Sequence, residues 1–243
     1  IMGPDGQERR RTWSETVDRV SRLASAMHGL GLGKGDRAAI LALNSDRYYE
    51  FFFGTAWAGG VFVPINIRLA PPEVAYWLND SEAKILFIDA MFAPMLKALE
   101  GSIPHVEQVI YLGDDAAPEG MHSYEALVAG AEPVPDADCG YEDLAGLFYT
   151  GGTTGRSKGV MLSHRNLVVN SYNTISVLHY ENDARYLHAP PMFHIADCVA
   201  VFGQTQIGNS HYFIPAFTPD GTLDAIQRWQ ITDTLLVPTM VNM

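Results

Sequence analysis

The chain has 243 residues, 47% of them hydrophobic and 18% charged, with a formal net charge of −12 and a pI near 5.0. That balance supports a buried core and excludes a disordered chain. The acidic surface argues against a nucleic-acid partner, because like-charged phosphates are repelled. Cys139 and Cys198 belong to no CxxC pair, so neither a zinc site nor a disulfide framework is indicated, and a reducing, cytoplasmic setting is the default expectation. The most apolar stretch, near Tyr48 to Val63, is interrupted by Glu50 and several glycines, so no integral membrane segment is expected.

In chain order, Ile1–Met2, the turn Pro4-Asp5-Gly6 and Arg9 to Trp13 read as a hairpin carrying three exposed arginines. Trp13 to Leu30 has helical apolar spacing, with Ser14 as the expected N-cap and Gly31 at its end. A short buried strand follows at Arg37–Leu43, then an apolar helix from Asp46 to Ala58 that Gly59-Gly60 ends, then a strand at Val61–Ile65. Pro71-Pro72 opens a helix reaching Leu78. A strand at Lys84–Ile88, a helix at Ala90–Leu99 and a strand at Val106–Leu112 come next. Residues 114–138 read as an acidic surface crossing with one short helix near Tyr124 to Val128.

Beyond it come a strand at Leu144–Thr150, a Gly/Thr loop, a strand at Val160–Ser163 and a helix at His164–Leu178. The last elements are a strand at Tyr186–His188, a helix at Ile195–Gly208, a strand at His211–Ile214, a helix at Thr222–Trp229 and a strand at Thr234–Val237. This alternation predicts an α/β fold with mostly parallel sheets covered by helices on both faces. Both ends read as cut, which implies one incomplete domain spanning 1–243.

The chemistry is concentrated in Leu147–His164, LFYTGGTTGRSKGVMLSH. Gly151, Gly152 and Gly155 can turn several N–H groups toward one anion. Thr150, Thr153 and Thr154 add hydroxyl donors, and Arg156 and Lys158 add positive charge. The combination suits a polyphosphate better than an ordinary glycine-rich bend does. It is not a Walker loop: Lys158 is followed by Gly159, and the pattern runs into a strand where a Walker loop would open a helix. His188 and His194 are six residues apart, with Asp197 nearby, whereas ligand sets on one helix usually repeat at three or four, so no metal site is expected there. Asp114-Asp115 reads as a solvated loop.

The segment Tyr149-Thr150-Gly151-Gly152-Thr153-Thr154-Gly155-Arg156-Ser157-Lys158-Gly159-Val160 closely resembles the phosphate loop of the adenylate-forming superfamily, which includes acyl-CoA synthetases, peptide-synthetase adenylation domains and beetle luciferases. Gly151 stands where that family has serine and Ser157 where it has proline, so retuned rather than abolished nucleotide binding is expected. The resemblance continues through Thr12-Trp13-Ser14-Glu15-Thr16, Gly35 to Ile40, Asn44-Ser45, Gly59 to Asn66, Ser163 to Leu167 and Pro190-Pro191-Met192-Phe193-His194, in the family's order.

The resemblance implies the large N-terminal domain of the adenylate-forming fold and an ATP-dependent ligase joining a carboxylic acid, by expectation a fatty acid, to coenzyme A. ATP, magnesium and coenzyme A are the implied cofactors and small molecules. The implied phosphate-binding residues are Thr150, Gly151, Gly152, Thr153, Thr154, Gly155 and Lys158, and no metal-ligating residue is assigned. His194 is the implied catalytic residue, near the carboxylate and the path of the thiol, with Met192 and Phe193 toward the acyl pocket. Ala196, two residues past it, leaves room for a flexible aliphatic acid. A homodimer is the assembly held open. The family's adenine, ribose and late-lysine motifs do not occur in these residues, so the 243-residue chain alone is expected to be inactive. An amino-acid adenylation domain, a luciferase-like oxidase and a non-catalytic nucleotide-binding module are the competing readings.

Overall fold

A computed structural model describes residues 8–151 and 156–243. The chain divides into two compact units, one formed by residues 11–42 and 50–164, the other by 43–49 and 165–243 with the described residues up to Arg10.

The first unit opens with α1 (Trp13–Gly29). Its cap is Thr12, not Ser14. The Thr12 hydroxyl accepts from the Glu15 N–H at 3.2 Å, and the Glu15 carboxylate accepts from the Thr12 N–H at 2.7 Å. This reciprocal box satisfies two orphan amides at once, which Ser14 could not do from inside the first turn. The expected strand at Arg9–Trp13 is not formed: Arg9 to Thr12 lack regular structure, and the start of that hairpin lies outside the described residues. Nor are all three arginines exposed. Arg11 lies 3.6 Å from Glu50, a carboxylate only 1% exposed, which also accepts from Arg19 at 2.8 Å and from the Tyr124 hydroxyl at 2.6 Å. A carboxylate buried that deeply requires such partners.

The chain then runs through β1 (Arg37–Leu41), α2 (Asp46–Trp57), β2 (Val61–Pro64), α3 (Pro71–Asp80) and β3 (Ala83–Ile88). The helix expected at Ala90–Leu99 shrinks to a 3₁₀ turn, Ala93–Met95, and α4 (Leu96–Leu99). Pro94 lacks an N–H and admits only the start of a helix. After β4 (Gln108–Tyr111) come β5 (His122–Ser123), α5 (Tyr124–Gly130), β6 (Leu144–Thr150) and β7 (Lys158–Ser163). These strands make a seven-stranded sheet in the order β5-β4-β3-β1-β2-β6-β7, parallel except for the antiparallel β6–β7 pair at one edge.

The middle strands are apolar because both faces are covered. Ala39, Leu41, Val63, Leu86 and Ile88 pack with Val74, Trp77 and Leu78 of α3. On the aromatic side, Phe51 meets Phe87 at 4.9 Å and Phe52 meets Phe62 at 5.1 Å. Phe62 and Gly146 are register partners. A Cβ at Gly146 would sit 2.2 Å from the Phe62 ring, so the glycine is what lets this ring cross the β2–β6 pairing.

In the second unit, α6 (His164–Leu178) leads to β8 (Arg185–His188), α7 (Ile195–Gln206), β9 (Ser210–Phe213), α8 (Pro219–Trp229), β10 (Asp233–Thr234) and α9 (Pro238–Val241). The three strands form a parallel sheet in the order β10-β8-β9. β10 ends at Thr234, short of the expected Val237, because Pro238 opens a new helical turn. Leu187, Ala189, Ile214, Ala225 and Trp229 form the apolar cluster. Arg9 is a buried-side anchor here, with its guanidinium 2.8 Å from Asp46. Arg10 is the member of the triplet that stays in solvent. Among the described residues no helix is long and apolar enough to cross a membrane.

Candidate functional site

β6 and β7 are the stems of the Gly/Thr loop. Pairing runs Phe148↔Val160, Tyr149↔Gly159, Thr150↔Lys158, so β7 begins two residues earlier than its apolar run suggested. Thr150 and Lys158 thus face each other as the closing pair of the loop. Gly151 follows, exposed, and a Cβ there would meet nothing within 4 Å. Lys158 is exposed and has no ion-pair partner among the described residues. Gly152, Thr153, Thr154 and Gly155, the middle of the expected phosphate grip, lie outside the described residues.

Helix α3 anchors both stems. The Tyr149 ring stacks on Trp77 at 4.6 Å and 19°, and its hydroxyl donates to Asp80 at 2.7 Å. Burial, reinforced by that carboxylate, pushes the Tyr149 hydroxyl well above its usual range, so it remains a donor. On the other stem, the Tyr76 hydroxyl donates to the Ser157 carbonyl at 3.0 Å, and the Arg156 guanidinium lies 5.4 Å over the Tyr76 ring. Tyr76, Trp77 and Asp80 were missed from sequence. Their helix was visible, but no local signal says that its face meets a loop some seventy residues later.

His194 belongs to the other unit. Its backbone N–H donates to the Pro191 carbonyl at 3.0 Å, closing the Pro-Pro-Met-Phe turn. It is the N-cap of α7: Nδ1 accepts from the Ala196 N–H at 3.3 Å. In the neutral ring this puts the hydrogen on Nε2, and the ring is exposed. Met192 is buried completely and Phe193 lies edge-on to the His194 ring at 6.4 Å.

The turn is clamped by a residue that sequence reading quoted without a role. Asn44 is buried; its amide donates to the carbonyls of His188 (3.2 Å) and Pro190 (2.8 Å), and its oxygen accepts from the Met192 N–H at 2.8 Å. One side chain therefore satisfies three backbone groups of the turn. His188 and Asp197 are likewise brought together, 2.8 Å apart and fully buried, while His194 points elsewhere. Among the described residues no three His, Cys, Asp or Glu side chains group as a metal site. Cys198 is buried and its thiol is pushed well above the ordinary range by burial, which makes it unreactive.

The AMP-binding enzyme family matches residues 2–243. The chain is 35% identical to a long-chain-fatty-acid–CoA ligase of Thermus thermophilus, over 97% of this chain and 43% of that protein. It is 37% identical to a feruloyl-CoA synthase of an Amycolatopsis species, over 94% of this chain and 44% of that one. The crystal structure of the N-terminal domain of FACL13 from Mycobacterium tuberculosis superposes with a TM-score of 0.89 at 30% identity, covering 99% of this chain and 59% of that one. The chain thus spans less than half the length of the two curated relatives, and the α/β architecture is that of the N-terminal domains of adenylate-forming enzymes. On the match along its whole length and the fold that goes with it, this chain belongs to the AMP-binding enzyme family.

Proposed function

We propose that these residues form part of the large N-terminal domain of a ligase that joins a carboxylic acid to coenzyme A through an acyl-adenylate. The observation that carries the reading is the Thr150–Lys158 pair, which presents an exposed hydroxyl and an exposed cation at the mouth of a glycine- and threonine-rich loop braced by α3. In the first step the acid attacks the α-phosphate of ATP and pyrophosphate leaves. In the second the thiol displaces AMP. The contribution of Thr150, Gly151, Gly152, Thr153, Thr154, Gly155 and Lys158 is to hold the β- and γ-phosphates and then release pyrophosphate, which is positioning and charge stabilisation. Magnesium would accompany the phosphates and neutralise part of their charge.

His194, with Nδ1 committed to its own helix, offers Nε2–H to the carboxylate and to the path of the thiol. The acid we propose is an aliphatic fatty acid, on the small side chain of Ala196 beside that turn. The named relatives act on acids as different as long-chain fatty acids and ferulate, so a panel of acids on the intact ligase decides it. A cytoplasmic setting and a homodimer complete the proposal.

Calorimetry with ATP and pyrophosphate tests the loop. Lys158→Ala should weaken pyrophosphate binding at least about tenfold, or about 1.4 kcal/mol, with the melting temperature unchanged. Equal binding by the variant would remove the assignment. A pyrophosphate-exchange assay on the 243-residue chain is expected to stay at background, and robust exchange would refute the expectation that these residues alone are inactive.

A further inference from the structure

The small sheet encloses a hydrogen-bonded chain that phosphate binding does not use. His188 Nδ1 lies 2.8 Å from Asp197 Oδ2, and its Nε2 lies 2.8 Å from His211 Nδ1. His211 Nε2 is 3.1 Å from Thr205 Oγ1, which is 2.7 Å from the Tyr49 hydroxyl. Thr205 also donates to the Val201 carbonyl at 2.6 Å.

Counting hydrogens assigns the protons. A hydroxyl has one hydrogen, and Thr205 gives it to Val201, so Oγ1 accepts from its other neighbours. His211 Nε2 therefore carries hydrogen. Burial and the neighbouring His188 hold His211 well below the ordinary imidazole range, so it is neutral, and a neutral ring with Nε2–H has a bare Nδ1. That bare nitrogen accepts from His188 Nε2–H. Asp197 Oδ2 is the partner of His188 Nδ1 at 2.8 Å, and its Oδ1 is buried with no hydrogen bond among the described residues. An ionised Asp197 leaves the hydrogen of that bond on Nδ1 and both nitrogens of His188 protonated; a neutral Asp197 leaves Nδ1 bare.

The groups packed around the pair fit the ionised case. The His188 ring stacks on Phe213 at 4.8 Å and 13° and meets Tyr186 at 4.9 Å; the ring of Tyr49 lies 4.9 Å from that of His211, and Cys198 adjoins Asp197. The tyrosine hydroxyls and the thiol are each raised by burial, so none supplies a competing negative charge. Asp197 is the acidic side chain facing the ring.

We propose that His188 is a buried imidazolium ion-paired to Asp197, and that this pair is a positioning device for the turn that presents His194. His188 ends β8 just before the turn, and Asp197 sits in the first turn of α7 just after it. Their bond closes a ring across Ala189–Ala196, and Asn44 holds the same turn by its backbone. The His194 ring is then fixed by its acceptance from the Ala196 N–H. Removing the charge from the pair loosens the ring closure and with it the cap. The purpose assigned to the pair rests on the ligase reading; its protonation does not.

The test is long-range ¹H–¹⁵N NMR of the 243-residue chain with ¹⁵N-labelled histidine, at neutral pH, where an exposed imidazole is mostly neutral. His188 should show two protonated-type nitrogens, with His211 and His194 showing bare Nδ1. Asp197→Asn should strip one hydrogen from His188 and speed Ala196 amide exchange about tenfold, the scale of one lost hydrogen bond. A bare nitrogen on His188 in the unaltered chain overturns the ion pair. A folded Asp197→Asn chain with unchanged Ala196 exchange overturns the positioning role. Should that variant not fold, Thr205→Val reads the same chain from its far end: His211 loses its acceptor, His188 drops to neutral and Ala196 exchange quickens, and an unchanged His188 overturns the assignment. Absent pyrophosphate binding at the loop would sink the ligase reading and leave all of these results standing.

Discussion

The two sheets bury different chemistry. The middle strands of the seven-stranded sheet are filled with Ala39, Leu41, Val63, Leu86 and Ile88, and nothing there has a proton to place. The three-stranded sheet buries His188 on a central strand against Asp197, and the same unit also buries Gln204, Asn209 and Thr222. Apolar packing tolerates exchange of one hydrocarbon for another, whereas a buried polar array works only when every member is present. The first kind of core sustains a scaffold and the second fixes a single local geometry.

The largest effect should come from halving the polar pair. Asp197→Ala leaves the His188 charge unpaired and should cost about 3–5 kcal/mol in urea unfolding followed by probes in the small sheet. Replacing both, with His188→Leu and Asp197→Leu together, should recover most of that loss; a double variant as weak as the single would break the contrast between the two cores. Leu86→Ala, in the apolar core, should cost about 2–5 kcal/mol through its cavity, and should leave Ala196 amide exchange where it was. Gly146→Ala overpacks against Phe62 and should cost about 1–3 kcal/mol, with the Phe62 ring resonances reporting the shift.

A smaller effect belongs to acid. Glu8 is lowered from 4.5 to about 2, first by the Trp229 indole N–H and then by Arg10. A depressed carboxyl stabilises above its unfolded value and loses that contribution as pH falls from about 4.5 through about 2. The Trp229 indole cross-peak should move in that window, and Glu8→Gln should flatten the response. The smallest is the surface pair of Lys84 and Asp36, 2.8 Å apart. Lys84→Ala should cost under about 1 kcal/mol and vanish in high salt.

Much of the scaffold was legible because local rules agreed. Short continuous apolar runs located β1, β2 and β3, and paired glycines ended α2. The capping signature Thr12…Glu15 was equally present, yet Ser14 was preferred; the box is a two-residue pattern and a single cap residue does not reveal it. The loop was legible from its glycines, threonines and Lys158. Its supports were not: Tyr76 and Asp80 are ordinary surface residues of an amphipathic helix until β6 and β7 arrive. Asn44 and His188 were hidden for the same reason, since their partners lie far along the chain or across a turn. The expected strand at Arg9–Trp13 failed because the buried carboxylates Asp46 and Glu50 claim Arg9 and Arg11, one in each unit.

The antiparallel edge has a kinetic consequence. A hairpin closes in roughly 1–10 μs because its strands are neighbours in sequence, while each parallel pair must wait for a long crossover to be laid down. Thr150 and Lys158 can therefore meet before the sheet they flank has assembled, and the late event is the docking of Tyr149 and Ser157 onto α3.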